Sequence, residues 1–403
     1  MKYIVMLSDG MAGKPLEEIN GMTTLEAATT PVLDRLAKNS EIGLASMVPE
    51  GMAPGSDTAN LAVMGYDPKI YYTGRSPLEA LSIGVDMSDT DVSFRCNIVT
   101  LSEEDCAYED RTIIDHSSDE ISTEDAAVLV EALKEGLERE GYRFYVGTSY
   151  RHLLIQANGK MIDLVPPHDV LTQRIGNYLP KDAVLREMME KSYEILNNHP
   201  LNVERKAKGL RPANSAWFWG AGKKPALTSF ESQTGKKGMM ISAVDLLKGI
   251  AVGASMDTVI VEGANGGLHT NYEGKAKAAL KALTEEGYDF AYIHVEAPDE
   301  MGHQGSMTDK IKAIENIDEK VLKLVVGELE EKQIDFRLLV LPDHPTPIKV
   351  RTHTGDPVPY LLYDSTKKVD GQEFYNEKTA SQTGIYWKEG YQLMGHLLEE
   401  EVC

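Results

Sequence analysis

The sequence predicts an α/β protein: a doubly wound, mostly parallel sheet with a smaller α/β domain inserted into it. Three observations lead there. In the first 85 residues, and again from residue 226 to 403, short apolar runs alternate with amphipathic stretches, the rhythm of strands covered on both faces by helices. Between residues 86 and 225 that rhythm breaks, and Arg and His gather at loop-like positions. A chain of 403 residues also suffices for about two or three compact units, each with its own core. The expected organisation is one discontinuous domain, residues 1–85 and 226–403, carrying an inserted domain of residues 86–225.

Taken in order, Tyr3 to Leu7 reads as a compact strand ending at Ser8-Asp9-Gly10. A helix follows with Val32, Leu33, Leu36 and Ala37 at helical spacing, opened by Thr30 as N-cap and Pro31 in the first turn. Ile42 to Val48 reads as a strand, and Thr58 to Met64 as a helix closed by Gly65. The inserted region shows strands at Val92 to Leu101 and Phe144 to Ala157, and helices at Thr123 to Glu140 and Lys181 to Asn197. Beyond it, strands are expected at Met239 to Ile241, Thr258 to Val261, Phe290 to Val295, Arg337 to Leu341 and Tyr360 to Tyr363. Helices are expected at Ala243 to Ala251, Lys275 to Glu286 and, as one long element, Lys310 to Lys332. In open sheets of this kind ligands collect beyond the carboxyl ends of the strands.

Charge narrows the partners. Lys plus Arg number 41 and Asp plus Glu 63, a net charge of −22, which argues against nucleic acid, whose phosphates are held by clustered cations. The first apolar stretch, Ile4 to Leu7, is too short for a secretory signal core. No run approaches the roughly 20 apolar residues of a membrane span. Cys96, Cys106 and Cys403 form no CxxC pair, a usage that suits a reducing compartment. A soluble, cytoplasmic protein is expected, with Cys96, Trp217 and Trp219 read as packing residues.

The ionisable residues of interest sit in a few short segments that follow strands or open helices. Asp9 ends the first strand. Ser56 follows Pro54-Gly55 at the mouth of a helix, with Asn60 one turn on. Asp299 and His303 lie in Ala297-Pro298-Asp299-Glu300-Met301-Gly302-His303. Asp343-His344 ends a strand, and His353 follows in Arg351-Thr352-His353-Thr354-Gly355. Singly, each has a plain structural reading as a turn, cap or packing residue. Together they bring three carboxylates and three imidazoles to one sheet edge, a set that two divalent cations satisfy, with Mn²⁺, Zn²⁺ or Co²⁺ suited to the mixed ligands. Such a pair clamps the attacking and leaving oxygens of a phosphoryl group. Ser56 is then the natural nucleophile, since cation coordination lowers its pKa and a helix N-terminus receives phosphate oxygens.

In these motifs the chain resembles the archaeal-type cofactor-independent phosphoglycerate mutases of the alkaline phosphatase-like superfamily. The resemblance extends through Thr73-Gly74-Arg75, Glu79-Ala80, Phe94-Arg95-Cys96-Asn97, Tyr150-Arg151-His152, Trp217 to Gly222 and Ile241 to Leu246. It implies an alkaline phosphatase-like fold, one cation held by Asp299, His303 and His353, and another by Asp9, Ser56, Asp343 and His344. Mn²⁺ is the expected ion, with Zn²⁺, Co²⁺ or Mg²⁺ as alternatives. It further implies that Ser56 takes the phosphoryl group of 3-phosphoglycerate and returns it to the 2-hydroxyl, without 2,3-bisphosphoglycerate. The partner is then a small phosphorylated substrate alone. The inserted domain is expected to grip the glycerate through Arg75, Arg95, Arg151 and His152, with Asn60 and Lys237 as further contacts and His168 as a weaker one. Hinges near Gly74 to Leu78 and Gly220 to Pro225 would close the site against water. Two rival readings share the chemistry. His294-Val295-Glu296-Ala297-Pro298 and the glycine-rich Glu262 to Gly267 loop resemble bacterial relatives assigned to homoserine phosphorylation. A metal-dependent phosphatase would replace the returning glycerate by water.

Overall fold

The computed structural model describes residues 1–399; Cys403 lies outside the described residues. The chain divides into two compact units, Met1–Tyr72 with the chain from Ala226 onward, and Thr73–Pro225. The first unit holds strands β1 (Lys2–Ser8) and β2 (Ser40–Ala45). The second holds β3 (Val92–Leu101), β4 (Ile113–Asp115), β5 (Tyr142–Thr148), β6 (Arg151–Gln156) and β7 (Ser215–Lys223). Back in the first unit come β8 (Gly238–Ile241), β9 (Asp257–Val259), β10 (Phe290–Val295), β11 (Phe336–Leu341), β12 (Val358–Asp364) and β13 (Tyr386–Trp387).

The first unit is built on an 8-stranded sheet in the order β13-β2-β12-β11-β1-β10-β8-β9. All its strands run in one direction except β12, which lies antiparallel to both β11 and β2. β1 sits between β10 and β11, and Ile4, Val5, Met6 and Leu7 are all fully buried. That explains why its sequence is a continuous apolar run without alternation, the mark of a strand covered on both faces. The helices Tyr272–Thr284 and Met307–Ile317 supply Ala276, Ala279, Ala313 and Ile314 to the core against Ile4, Ile293 and Leu338.

Three local expectations change. The helix Pro31–Ala37 does begin at Pro31, but the Thr30 side chain does not cap it. Its amides of Val32 and Leu33 donate to the Asp318 carboxylate at 3.1 and 2.8 Å. The long helix expected at Lys310 to Lys332 is three pieces: the helix Met307–Ile317, a π-helical turn at Asp318–Leu322 and the helix Lys323–Glu331. β2 begins at Ser40, two residues before the apolar run starts, because its register is set by β12.

The second unit has a 5-stranded, wholly antiparallel sheet. β3 is its centre, buried along its full length, flanked by β7 on one side and β6 with β4 on the other. The single strand expected at Phe144 to Ala157 is a hairpin, β5 and β6, turned through Ser149 at φ 55°. The helices Thr123–Leu137 and Ala183–Leu196 pack on this sheet and on each other. The sequence reading sets the first junction between the units at 85/86. The structure groups residues from Thr73 with the second unit, because Ala80, Val85 and Met87 bury themselves against Leu153 and Ile155 of β6.

Candidate active site

Three neighbouring parallel strands, β10, β1 and β11, end at the same sheet edge, and the chain leaving each brings a carboxylate there. Asp9 follows β1 directly. After β10 the helix Ala297–Gln304 carries Asp299 in its first turn and His303 one turn later, on the same face. Asp343 and His344 follow β11. Gly10 lets the strands converge: its φ is +59°, and a Cβ there would lie 2.6 Å from both Asp299 Oδ1 and Thr346 Oγ1. Ser56 is the first residue of the helix Ser56–Val63.

The side chains interlock. Ser56 Oγ lies 3.1 Å from His344 Nε2. His344 Nε2 is also 3.3 Å from Asp343 Oδ2 and 3.7 Å from Asp9 Oδ1. On the other side, His303 Nε2 lies 3.2 Å from Asp299 Oδ2, and His353 Nε2 3.4 Å from Asp299 Oδ1. The two Nε2 atoms are 2.9 Å apart, and the rings of His344 and His353 stack at 3.8 Å. Thr346 donates its hydroxyl to Asp299. Two sets of donor atoms result, Asp9, Asp343 and His344, and Asp299, His344 and His353, each within 4.8 Å of one another. His344 belongs to both.

This donor set fits divalent cations. Asp9 Oδ1 is buried without a hydrogen-bond partner, an open acceptor in a place where open acceptors are costly. Burial, and then the charges of Asp343 and Asp299, push Asp9 well above the usual carboxylate range. Burial alone would raise Asp299 too, but the hydrogen bonds of His303 and His353 outweigh it and hold the carboxyl low. His303 is pushed up to about 8 by Asp299, whereas burial pulls His344 down. Carboxylates crowding one another and imidazole nitrogens aimed at a common carboxylate are the strains that a bound cation relieves.

Several residues that hold this edge are not legible as such in the sequence. Lys310, fully buried, donates to the carbonyls of Gly10, Ala12 and Thr346 at 2.7, 3.1 and 2.7 Å, tying the loop after β1 to the loop after β11. Burial pulls it down to about 8. Lys275 donates to the His294 carbonyl at 2.8 Å. His294 Nε2 lies 2.8 Å from Asp9 Oδ2. His294 and Lys310 stand inside apolar patterns, where a lone polar residue gives no signal until its partner 285 or 300 positions away is known.

Not every expected contact falls here. Asn60 is committed inside the cluster: its amide donates to Ser56 O at 2.8 Å and Asp343 Oδ2 at 2.9 Å, and Tyr292 donates to its Oδ1 at 2.6 Å. Both its amide nitrogen and its oxygen are engaged within the cluster. Lys237 precedes β8, at the amino edge of the sheet, and its ammonium lies 4.1 Å from the Tyr288 ring centroid. The carboxylates leave the opposite, carboxyl edge, away from Lys237.

In the second unit the structure brings Arg75, Arg95 and Arg151 together. Arg95 on β3 pairs with Glu79 at 3.0 Å, stacks its guanidinium 4.4 Å from the Trp219 centroid, and is felt by both other arginines. Arg75 shares the same Glu79 at 3.3 Å. His152 does not join them. It is buried, its Nδ1 accepts the Gly147 amide at 3.1 Å, and burial pulls it down to about 3. In a strand, successive side chains face opposite ways, so Arg151 and His152 cannot both line one face. His168 packs edge-on against Trp219, with ring centroids 5.3 Å apart, near the arginines.

Fold and cluster define a class: α/β enzymes whose chemistry sits at the carboxyl edge of a mostly parallel sheet. The family profile of 2,3-bisphosphoglycerate-independent phosphoglycerate mutase matches residues 37–202. A Methanosarcina acetivorans protein named 2,3-bisphosphoglycerate-independent phosphoglycerate mutase is 45% identical over 405 residues, 99% of this chain and 100% of its own length. A Geobacter sulfurreducens protein named as a probable enzyme of the same kind is 46% identical over 406 residues, with the same coverage. Among solved structures, a Pyrococcus horikoshii protein matches with a TM-score of 0.81 at 29% identity, over 99% of this chain and 97% of that one. The cofactor-independent phosphoglycerate mutase of Thermoplasma acidophilum matches with a TM-score of 0.67 at 27% identity, over 99% of each chain. The chain belongs to the 2,3-bisphosphoglycerate-independent phosphoglycerate mutase family. The family resemblance, the fold class and the enzyme class expected from sequence are borne out. Among the described residues no helix is long and apolar enough to cross a membrane.

Proposed function

We propose that this enzyme interconverts 3-phosphoglycerate and 2-phosphoglycerate through a phosphoserine at Ser56. The observation that carries the reading is Ser56 itself, first in its helix and 3.1 Å from His344 in a cluster of carboxylates and imidazoles. Asp299, His303 and His353 would hold one divalent cation; Asp9, Ser56, Asp343 and His344 would hold the other, with Mn²⁺ as the ion. When bound, the cations lower the pKa of the Ser56 hydroxyl and offset charge on the phosphoryl oxygens.

Ser56 Oγ forms its bond to phosphorus as the bond to the C3 oxygen of the substrate breaks, and the serine proton ends on that oxygen. The C2 hydroxyl oxygen of the retained glycerate then attacks the phosphoserine, its proton returning to Ser56 Oγ. The phosphoryl group stays on the protein between the two transfers, so 2,3-bisphosphoglycerate has no part. Asn60, bonded to Ser56 O and Asp343, holds the nucleophile against the cluster. The planar guanidinium groups of Arg75, Arg95 and Arg151 bind the glycerate carboxylate through paired hydrogen bonds. The free thiols Cys96 and Cys106 suit a cytoplasmic setting, and the small phosphorylated substrate is the partner.

The test supplies 3-phosphoglycerate and Mn²⁺ without bisphosphoglycerate and couples 2-phosphoglycerate formation to enolase. Turnover should vanish with a chelator and return with Mn²⁺. Ser56→Ala should lower kcat by at least about 10³-fold while Mn²⁺ content persists; full activity in that variant would sink the phosphoserine route. Free phosphate as the main product, or ATP consumption with homoserine, would overturn the mutase assignment.

A further inference from the structure

The two oxygens of Asp9 have different surroundings. Oδ2 lies 2.8 Å from Nε2 of His294, while the buried Oδ1 has no hydrogen-bond partner and faces His344 Nε2 at 3.7 Å. His294 is fully buried on β10, in register with Leu7 on β1. Its Nδ1 lies 3.0 Å from Ser242 Oγ, and that same oxygen accepts the Val244 amide at 3.0 Å.

The hydrogens along this chain can be assigned by elimination. As a cation ligand Asp9 is ionised, and an ionised carboxylate only accepts, so Nε2 of His294 carries a hydrogen. A neutral imidazole has just one N–H, so Nδ1 accepts, and only the Ser242 hydroxyl can donate to it. The Ser242 oxygen then uses a lone pair for Val244 N–H. Every donor finds an acceptor, and the ring has one tautomer.

We propose that His294 is a positioning residue for Asp9: its Nε2–H occupies Oδ2 and leaves Oδ1 as the single oxygen Asp9 offers a cation, with Ser242 fixing the tautomer. The proposal rests on the reading of Asp9 as a cation ligand. Without His294, Asp9 rotates freely and has no preferred oxygen, so the cation it shares with Asp343 and His344 loses affinity, while the cation at Asp299, His303 and His353 does not. Carboxylates and imidazoles that support ligands in this way change metal affinity by about 10–100-fold when removed.

Mn²⁺ alone, titrated into the metal-free full-length protein and followed by the paramagnetic resonance signal of the free ion, separates the cases. The parent should bind two equivalents. His294→Ala should bind one with parent affinity and the second about 10–100-fold more weakly, and His294→Gln, whose amide can again donate toward Asp9, should recover part of the loss. Ser242→Ala should weaken the same equivalent by a smaller factor. Two tight equivalents in folded His294→Ala overturn the proposal. If that variant does not fold, unchanged affinity in Ser242→Ala overturns it. A parent that takes up no Mn²⁺ removes the cation reading itself, and this proposal with it.

Discussion

His152 shows how one side chain of a recognisable motif can be turned into the core while its neighbour is not. Tyr150-Arg151-His152 reads as a basic tripeptide facing a substrate, yet the pleat of β6 sends Arg151 toward Arg95 and turns His152 into the core. Burial holds its folded value near 3, below the ordinary 6.5 of the unfolded chain. The sign follows from linkage: the contribution is fully present above about pH 6.5 and is lost as the pH falls toward 3, because the unfolded chain takes up the proton first. At pH 5 the penalty is roughly 2 kcal/mol. Urea unfolding at pH 7 and pH 5, read through Trp217 and Trp219 of the same unit, should show the parent losing about that much more stability than His152→Gln. Equal losses would refute the assignment. The legible residues were those whose chemistry is announced by context: Asp9 and Asp343 after apolar strands, Ser56 after Pro-Gly, His303 four residues from Asp299. His294, Lys275 and Lys310 carry no such context, because their roles depend on partners contributed by other elements.

Among elements, the Pro31–Ala37 helix is instructive. Thr30-Pro31 is a good local signature for a helix start, and the helix starts there. The cap itself comes from elsewhere. Asp318, fully buried, accepts from Val32 and Leu33, and it does so from the first residue of the π-helical turn that interrupts the expected 23-residue helix, Lys310 to Lys332. Periodicity alone cannot reveal that turn, since Ile314, Ile317 and Val321 still fall on one face. Asp318→Ala should therefore destabilise the protein by about 1–2 kcal/mol, and Thr30→Ala by less than about 0.5 kcal/mol, both measured as shifts in urea midpoint. A larger effect from Thr30→Ala would restore the local cap. The same limit explains the missed hairpin: Phe144 to Ala157 is apolar enough to read as one strand, and the turn at Ser149 uses a left-handed residue that is not glycine.

At the scale of the molecule, parallel β1, β10 and β11 were legible because each is a largely apolar run with an Asp within a few residues of its end. The antiparallel character of the second unit was not, since direction depends on the pairing partners of β3 rather than on its own composition. That unit starts and finishes close together: Thr73 Oγ1 donates to Lys223 O at 2.6 Å. Gly74, at φ +123°, is needed there because a Cβ would sit 3.0 Å from Ala221 O. With a core of its own around Phe94, Leu129, Phe144, Leu185 and Phe218, residues 73–225 should fold as a separate fragment, with cooperative thermal unfolding by circular dichroism. A featureless melt would show that the unit depends on its carrier. The net charge of −22, whose field would repel an anionic substrate, says little about the site. Most of it is solvated and screened beyond about 8–10 Å, and the local balance is set by the groups that line the site.

The position of β1 also governs how the protein is made. Its hydrogen-bonding neighbours, β10 and β11, begin at Phe290 and Phe336, so β1 leaves the ribosome long before either of its partners. At about 5–20 residues per second, translation leaves Ile4 to Leu7 waiting for roughly 15–60 s, while residues 73–225 emerge and can fold in the interval. During that time this apolar run is without its sheet partners, and slower elongation lengthens its exposure.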